Sequence, residues 1–169
     1  MKAVIVLYLL IQALYLSGCA VCWGKRGCNE YKAVIAQNNN TNAMAIEKFS
    51  SYPVDKQIDI HLYANYVGNG SVGRFIARHD GANKVQRIVQ RIRTEPQLWD
   101  KASLIDALFY INEECRCIKQ DSDVIRTLVE VENALQRDPN LPANYAYKDI
   151  YSMSLTSLKN QIERQSADK

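Results

Sequence analysis

Chain breakers are scarce in this sequence, with seven glycines and four prolines in 169 residues, and histidine occurs only twice. So little Gly and Pro excludes a low-complexity polymer, and with 47% apolar and 23% charged residues it leaves an ordinary globular composition. The length allows one domain and hardly two. His61 and His79 have no Cys, Asp or Glu at metal-ligand spacing and no H-E-x-x-H around them, so no metal site and no cofactor are expected. G-x-S-x-G, S-x-x-K and a Cys/His pairing are also missing, which removes the common nucleophile signatures and favours a non-catalytic protein. The excess of one charge is small, a net +3, so the chain lacks the strongly basic field of a nucleic-acid binder. A membrane-spanning run is lacking too. The longest apolar stretch, Ala3 to Leu16, has 14 residues broken only by Gln12, where a spanning helix needs about 20.

That stretch has the length of a secretory h-region, and Lys2 supplies a minimal positive start. It ends in Leu16-Ser17-Gly18-Cys19. This "LSGC" resembles the lipobox of bacterial lipoprotein precursors, with small residues at the two positions before the Cys. The resemblance implies a signal peptide over residues 1–18. It also implies Cys19 as the new first residue, carrying a diacylglycerol on its thiol and an acyl chain on its amine. Several acyl chains together give stable attachment without a transmembrane helix, since each buried methylene contributes about 0.8 kcal/mol. Ala20 in place of Asp after the Cys implies the outer membrane, with the domain facing the periplasm. The competing reading is an ordinary secretory signal cut after Ala20, with Cys19 discarded.

Four cysteines remain: Cys22, Cys28, Cys115 and Cys117. An even number in an exported domain points to disulfides. Cys115 and Cys117 fall in a stretch read as helix, where residues two apart face different ways. Bridges from the Cys22/Cys28 segment to the Cys115/Cys117 segment are therefore expected, closing a loop of about 90 residues. A four-thiolate zinc site is disfavoured, because C-x5-C with C-x-C is not the C-x2-C spacing of structural zinc.

Residues 19–42 read as a tether, ending in the polar run "QNNNTN", and residues 43–169 as a helical domain. Ala43 to Phe49 suits a short helix, and Pro53 opens another with Val54, Ile58 and Leu62 on one side as far as Tyr66. Ser71 is placed to cap a short helix carrying Val72, Phe75 and Ile76, closed by Gly81. Asn83 is placed to cap the clearest helix, with the stripe Val85, Ile88, Val89 and Ile92. After Pro96, Leu104, Ile105, Leu108, Ile111 and Cys115 line the next helix. Val124, Leu128, Val131 and Leu135 line one capped by Asp121 or Ser122, and a last helix from about Asn144 buries Ile150, Leu155, Leu158 and Ile162. The fold class is all-α, with six or seven helices. "NKVQRIVQRIRTEPQLWDKASLIDALFYI" is similar to the junction between two HEAT-like repeats, through Asp100, Ala102, Ile105, Ala107, Leu108 and Ile111. That resemblance implies a stack of helical hairpins over residues 83–135. A compact, non-repetitive bundle is the alternative.

"VGNGSVGRF" contains a literal G-x-G-x-x-G at Gly68, Gly70 and Gly73. A dinucleotide site needs a strand before it, a long helix after it and an acid about twenty positions on. "QIDIHLYANY" alternates like a strand, and Glu95 is near the required place. The following segment is barely two turns and no second βαβ unit follows, so the glycines read as punctuation between helices. Charge is the remaining clue. Arg74 to Arg93 holds six bases against Asp80 alone, and Thr94 to Asp138 holds ten acids against five bases. Arg74, Arg78, Lys84, Arg87 and Arg91 thus form a candidate basic edge for an anionic partner. Complementarity between adjacent helices is the plain alternative. Tyr145, Tyr147 and Tyr151 add aromatic residues of the kind enriched at interfaces.

Together these features lead us to expect a lipid-anchored, non-catalytic protein-binding module of the bacterial envelope. The partner would be an envelope or periplasmic protein, as for a scaffold or an immunity protein against a toxic effector, and not nucleic acid. The alternatives are an envelope enzyme centred on His79 or the Glu113/Glu114 carboxylates, and a structural lipoprotein binding peptidoglycan or anionic lipid.

Overall fold

A computed structural model describes residues 22, 24–38, 42–119, 122–138 and 146–167. The signal segment, Cys19 and Tyr145 lie outside the described residues, as do the side chains of Tyr147, Ile150 and Tyr151. The described part is all-helical and contains no strand: α1 Cys28–Asn38, α2 Asn42–Ser50, α3 Val54–Tyr66, α4 Gly70–Gly73, α5 Phe75–Arg78, α6 Gly81–Thr94, α7 Leu98–Cys115, α8 Ser122–Arg137 and α9 Ala146–Ala167.

α7 is the hub, packed against α3, α5, α6, α8 and α9. Its Ala102, Leu104, Ile105, Ala107, Leu108 and Ile111 are all buried, and covering a helix on several sides requires such an apolar surface. Each fully buried Leu or Ile contributes about 1.5–3 kcal/mol. α6 runs antiparallel to α7 and offers the expected stripe of Val85, Ile88, Val89 and Ile92. At its start Gly81 lies against Ile111, where an added Cβ would come 3.2 Å from the Ile111 side chain. α9 buries Leu155, Leu158 and Ile162, and α8 buries Val124, Leu128, Val131 and Leu135. α3 is enclosed over eight successive residues, Gln57 to Ala64. The strand-like alternation of its apolar residues therefore belongs to a helix buried all round.

Two expected boundaries change. Within the segment read as a tether over residues 19–42, Cys28–Asn38 forms α1, which places Cys28, Tyr31 and Val34 in the core. These positions recur every three residues, a period masked by the Asn, Glu and Lys residues between them. α6 starts at Gly81, two residues before the expected Asn83 cap, after Asp80 adopts a left-handed conformation at φ 53°. Asn83 Nδ2 instead donates to Asp80 Oδ1 at 2.7 Å.

The disulfide expectation is corrected. Cys22 pairs with Cys28, and Cys115 with Cys117, so no bridge joins the two segments. The physical reason is at Arg116. α7 stops at Cys115, and Arg116 turns left-handed at φ 47°, which folds the chain back and brings the two Cα atoms to 5.1 Å. Had the helix continued, the two sulfurs would have diverged.

Candidate functional site

The glycine motif is a helix junction. Gly68, at φ 72°, ends α3, and the Asn69 amide returns to the Ala64 carbonyl at 2.8 Å. Asn69, not Ser71, caps α4: its Oδ1 accepts from the Val72 amide at 3.4 Å and from the Ser71 hydroxyl at 2.7 Å. Gly73 is needed for close approach, since a Cβ there would meet Asn65 Oδ1 at 2.8 Å. Its carbonyl oxygen lies 2.7 Å from His61 Nδ1, and the Ser103 carbonyl oxygen lies 2.8 Å from His61 Nε2. His61 is fully buried, and this ring ties α3 to α4 and to α7. Asn65 Nδ2 lies 3.2 Å from His61 Nε2 as well. His79 is exposed beside Asp80, and Glu113 and Glu114 are exposed at the end of α7.

The five basic residues expected to form one edge separate into two groups. Along the α3–α6 seam, Arg87 grips Asp55 with Nε at 2.7 Å and Nη2 at 2.6 Å. One turn on, Arg91 Nη2 donates to Asp59 at 2.8 Å and Nε to Glu95 at 2.9 Å. Arg26, from the loop closed by the Cys22–Cys28 bridge, reaches the other oxygen of Glu95 at 2.7 Å. The Glu95 carboxylate is only 1% exposed. Burial pushes it upward, but the guanidinium groups of Arg26 and Arg91 outweigh burial and hold it below the usual carboxylate range. Arg87 likewise holds Asp55 below its ordinary value. Lys84 is buried, with Nζ donating to the Ile76 carbonyl at 3.1 Å, and burial pushes it down to about 8 against the pull of Asp80. Lys84 and Arg91 therefore belong to the interior, and Arg87 is satisfied between helices.

Arg74 and Arg78 remain. Both are exposed, and among the described residues neither forms an ion pair with a carboxylate. The Arg74 guanidinium lies over the half-buried Tyr110 ring at 4.8 Å, and Arg78 lies 5.9 Å from the Phe75 ring. Hydrogen bonding to Tyr110 raises Arg74 above its ordinary value. Arg74 precedes α5 and Arg78 ends it, and Arg74 meets α7 at Tyr110. An Arg already stacked on a Tyr loses little freedom when a partner arrives, which suits an interface anchor.

A second feature escaped the sequence reading because it lies in the supposed tether. Gly24, Lys25 and Arg26 line a cleft of about 220 Å³ with Tyr63, Tyr66 and Asp100. Lys25 Nζ sits 4.5 Å from the centre of the Tyr66 ring, which is 68% exposed. The spacing C-x5-C around "WGKRG" was the available signal, a short closed loop presenting two cations. Burial pushes Asp100 upward, and Glu95 adds to it, while Arg26 and Lys25 oppose it. A further cleft of about 350 Å³ lies where α6, α7 and α8 meet, with Arg93, Lys101, Thr127 and Glu130 around Ile92 and Val131.

Among the described residues no three His, Cys, Asp or Glu side chains group as a metal site would require, and no helix is long and apolar enough to cross a membrane. Comparison with protein-family models, with curated proteins and with solved structures finds no match.

Proposed function

We propose that this protein is a lipid-anchored helical module of the bacterial envelope that works by binding another protein, through a patch made of Arg74, Arg78 and Tyr110. The observation that carries the reading is the division of the basic segment. Lys84 and Arg91 are held inside the bundle and Arg87 is paired with Asp55 at its surface, while Arg74 and Arg78 are exposed and form no ion pair among the described residues, one of them stacked on Tyr110. Two cations on a rigid aromatic base fit an acidic protein surface. An envelope scaffold and an immunity protein for a periplasmic effector are both partnerships of this kind.

Lipidation at Cys19 would also orient the bundle. Cys22 packs against the core, and three residues of chain reach at most about 10 Å. The face carrying Lys25 and Tyr66 would then lie against headgroups, where Lys and Tyr are at home. Asp100 lines the cleft on that face, and Tyr110 is ten residues further along α7, about 15 Å away. The partner patch is thus carried clear of the bilayer.

The test has two arms. Palmitate should label the chain at Cys19, and the label should vanish with globomycin or in Cys19→Ala; an unlabelled wild type overturns the anchor. Envelope extracts passed over the wild-type protein should yield one retained protein whose purified form binds directly. Arg74→Glu with Arg78→Glu should weaken that binding at least tenfold, while Arg126→Glu leaves it unchanged. Binding that survives the double reversal overturns the patch. Salt-sensitive retention on purified cell wall or anionic vesicles alone would favour the structural-lipoprotein reading.

A further inference from the structure

The two disulfides sit in unlike places. Cys28 is buried at 1% exposure and Cys22 packs on the core, so that bridge is enclosed in the docked N-terminal loop. The Cys115–Cys117 bridge lies at the end of α7, with Cys117 half-buried against the core like Cys22 but Cys115 exposed where Cys28 is buried. It spans a sequence separation of only two, so it restricts the unfolded chain very little.

Nor is the bridge needed to shape its turn. The Arg116 amide donates to the Asn112 carbonyl at 2.9 Å, and the Ile118 amide donates to Asn112 Oδ1 at 3.1 Å. Asn112 is fully buried and donates in turn to Gln161 Oε1 at 2.8 Å, while Ile118 is buried as well. These contacts brace the turn that brings the two cysteines face to face, independently of the sulfur–sulfur bond. Between them Arg116 is kept at φ 47°, one of two non-glycine residues described with positive φ. Such a conformation costs of order 1 kcal/mol or more and persists where the surroundings impose it, which is common at working sites. An exposed bridge across a pre-shaped turn, contributing little to stability, is the profile of a labile disulfide.

We propose that Cys115–Cys117 is a thiol–disulfide exchange site that oxidises a paired thiol in an exported polypeptide. The inference stands apart from the lipid anchor and from the Arg74 patch. An incoming thiolate attacks the exposed Cys115 Sγ; the Cys115–Cys117 bond breaks, a mixed disulfide forms at Cys115, and Cys117 leaves as thiolate and takes up a proton. The second thiol of the substrate then attacks the substrate sulfur in the mixed disulfide and frees Cys115. The substrate dithiol has lost two electrons and become a disulfide, and Cys115 and Cys117 have gained them as a dithiol. The direction of attack has a structural basis. Cys115 is the exposed member of the pair and Cys117 the half-buried one, so an incoming thiolate reaches Cys115 Sγ first. Glutathione disulfide, a small-molecule oxidant, restores the bridge by the same exchange in reverse.

The experiment uses the full oxidised chain in glutathione redox buffers, quenched with acid, alkylated and mapped by peptide mass. Cys115 and Cys117 should become labelled at least tenfold faster than Cys22 and Cys28, with an unchanged far-UV circular dichroism spectrum. A synthetic peptide with two cysteines, in the same buffer, should be oxidised at least tenfold faster with wild type than with glutathione alone. The acceleration should be absent with Cys115→Ser/Cys117→Ser, whose spectrum should stay native because Asn112 holds the turn. In Cys117→Ser, glutathione disulfide should leave a stable adduct on Cys115. The proposal is overturned if Cys115–Cys117 opens no faster than Cys22–Cys28, if its opening unfolds the helices, or if peptide oxidation matches the double variant.

Discussion

Arg87 and Arg91 are the same residue type, one turn apart on α6, each facing an Asp one turn apart on α3. If burial and not pairing alone decides what an ion pair contributes, replacing each by Met should give very different results. Arg87 is 52% exposed and its partner Asp55 is 48% exposed, so water replaces the lost contact on both sides. Arg91 is 19% exposed, Asp59 12% and Glu95 1%. Removing Arg91 leaves Asp59 without its guanidinium and Glu95 with Arg26 alone. Breaking a buried pair costs about 3–5 kcal/mol when the remaining charge is uncompensated. Because Arg26 still holds Glu95, Arg91→Met should fall just below that range, at about 2–3 kcal/mol. That corresponds to roughly 5–10 °C in thermal midpoint for a domain of this size. The assay is urea unfolding at pH 7 followed by circular dichroism, in low salt and in about 0.5 M salt. Arg87→Met should leave the midpoint unchanged within error, and Arg91→Met should lower it at both salt concentrations. Equal losses in the two variants would refute the reasoning, as would a loss in Arg91→Met that disappears in salt.

Glu95 should mark the acid limb of stability. Its folded-state value lies below the unfolded one, so its contribution is present above about pH 4.3 and is lost as pH falls through the folded value. Glu95→Gln should be less stable than wild type at pH 7, and the gap should close in urea titrations toward pH 3. Lys84 acts at the alkaline end, with the same sign. Burial lowers it to about 8, so the unfolded chain holds more protons between about pH 8 and 10.4, and wild-type stability should rise over that window relative to Lys84→Met, by up to ~3 kcal/mol. A gap that does not change with pH would mean the amine is solvated. Gly27 and Gly24 both have positive φ, but a Cβ on Gly27 would lie 2.2 Å from the Asp59 carbonyl oxygen, whereas Gly24 has open space around it. Gly24→Ala should cost about 1 kcal/mol. Gly27→Ala should release the N-terminal loop from α3, seen as faster amide exchange at Tyr31 and loss of the Arg26–Glu95 contact.

The helices were legible wherever one face alone is apolar. Val85, Ile88, Val89 and Ile92 recur at helical spacing, as do Val124, Leu128, Val131 and Leu135, and both sets are buried. Legibility failed where burial is complete or mixed. α3 is covered on all sides, so its pattern fitted a strand as well as a helix. α1 shows few apolar residues, and part of its burial comes from the Tyr31 ring packing tilted against Tyr63 with centres 5.2 Å apart, a contact made from another helix. The basic segment is plain in the sequence, but a count of charges does not say which face each cation takes. The signal that could have placed Arg87 and Arg91 was at hand: Asp55 and Asp59 repeat the same four-residue interval on an earlier helix, and two opposite pairs in register make a seam.

The disulfides show how much can depend on one backbone angle. The expected bridges across the chain followed from treating Cys115 and Cys117 as two helical positions, and a single left-handed residue at Arg116 reverses that conclusion. No residue-type rule places Arg in that conformation. It follows from Asn112, whose buried side chain takes the Ile118 amide, and from Ile118, which must enter the core to be buried. Once those two are fixed, the chain has to turn between Cys115 and Cys117, and the sulfurs meet. The turn thus precedes the bridge in the physical argument. A bridge that forms after its turn can open without undoing it, and that separation of shape from sulfur chemistry is what leaves Cys115 free to exchange.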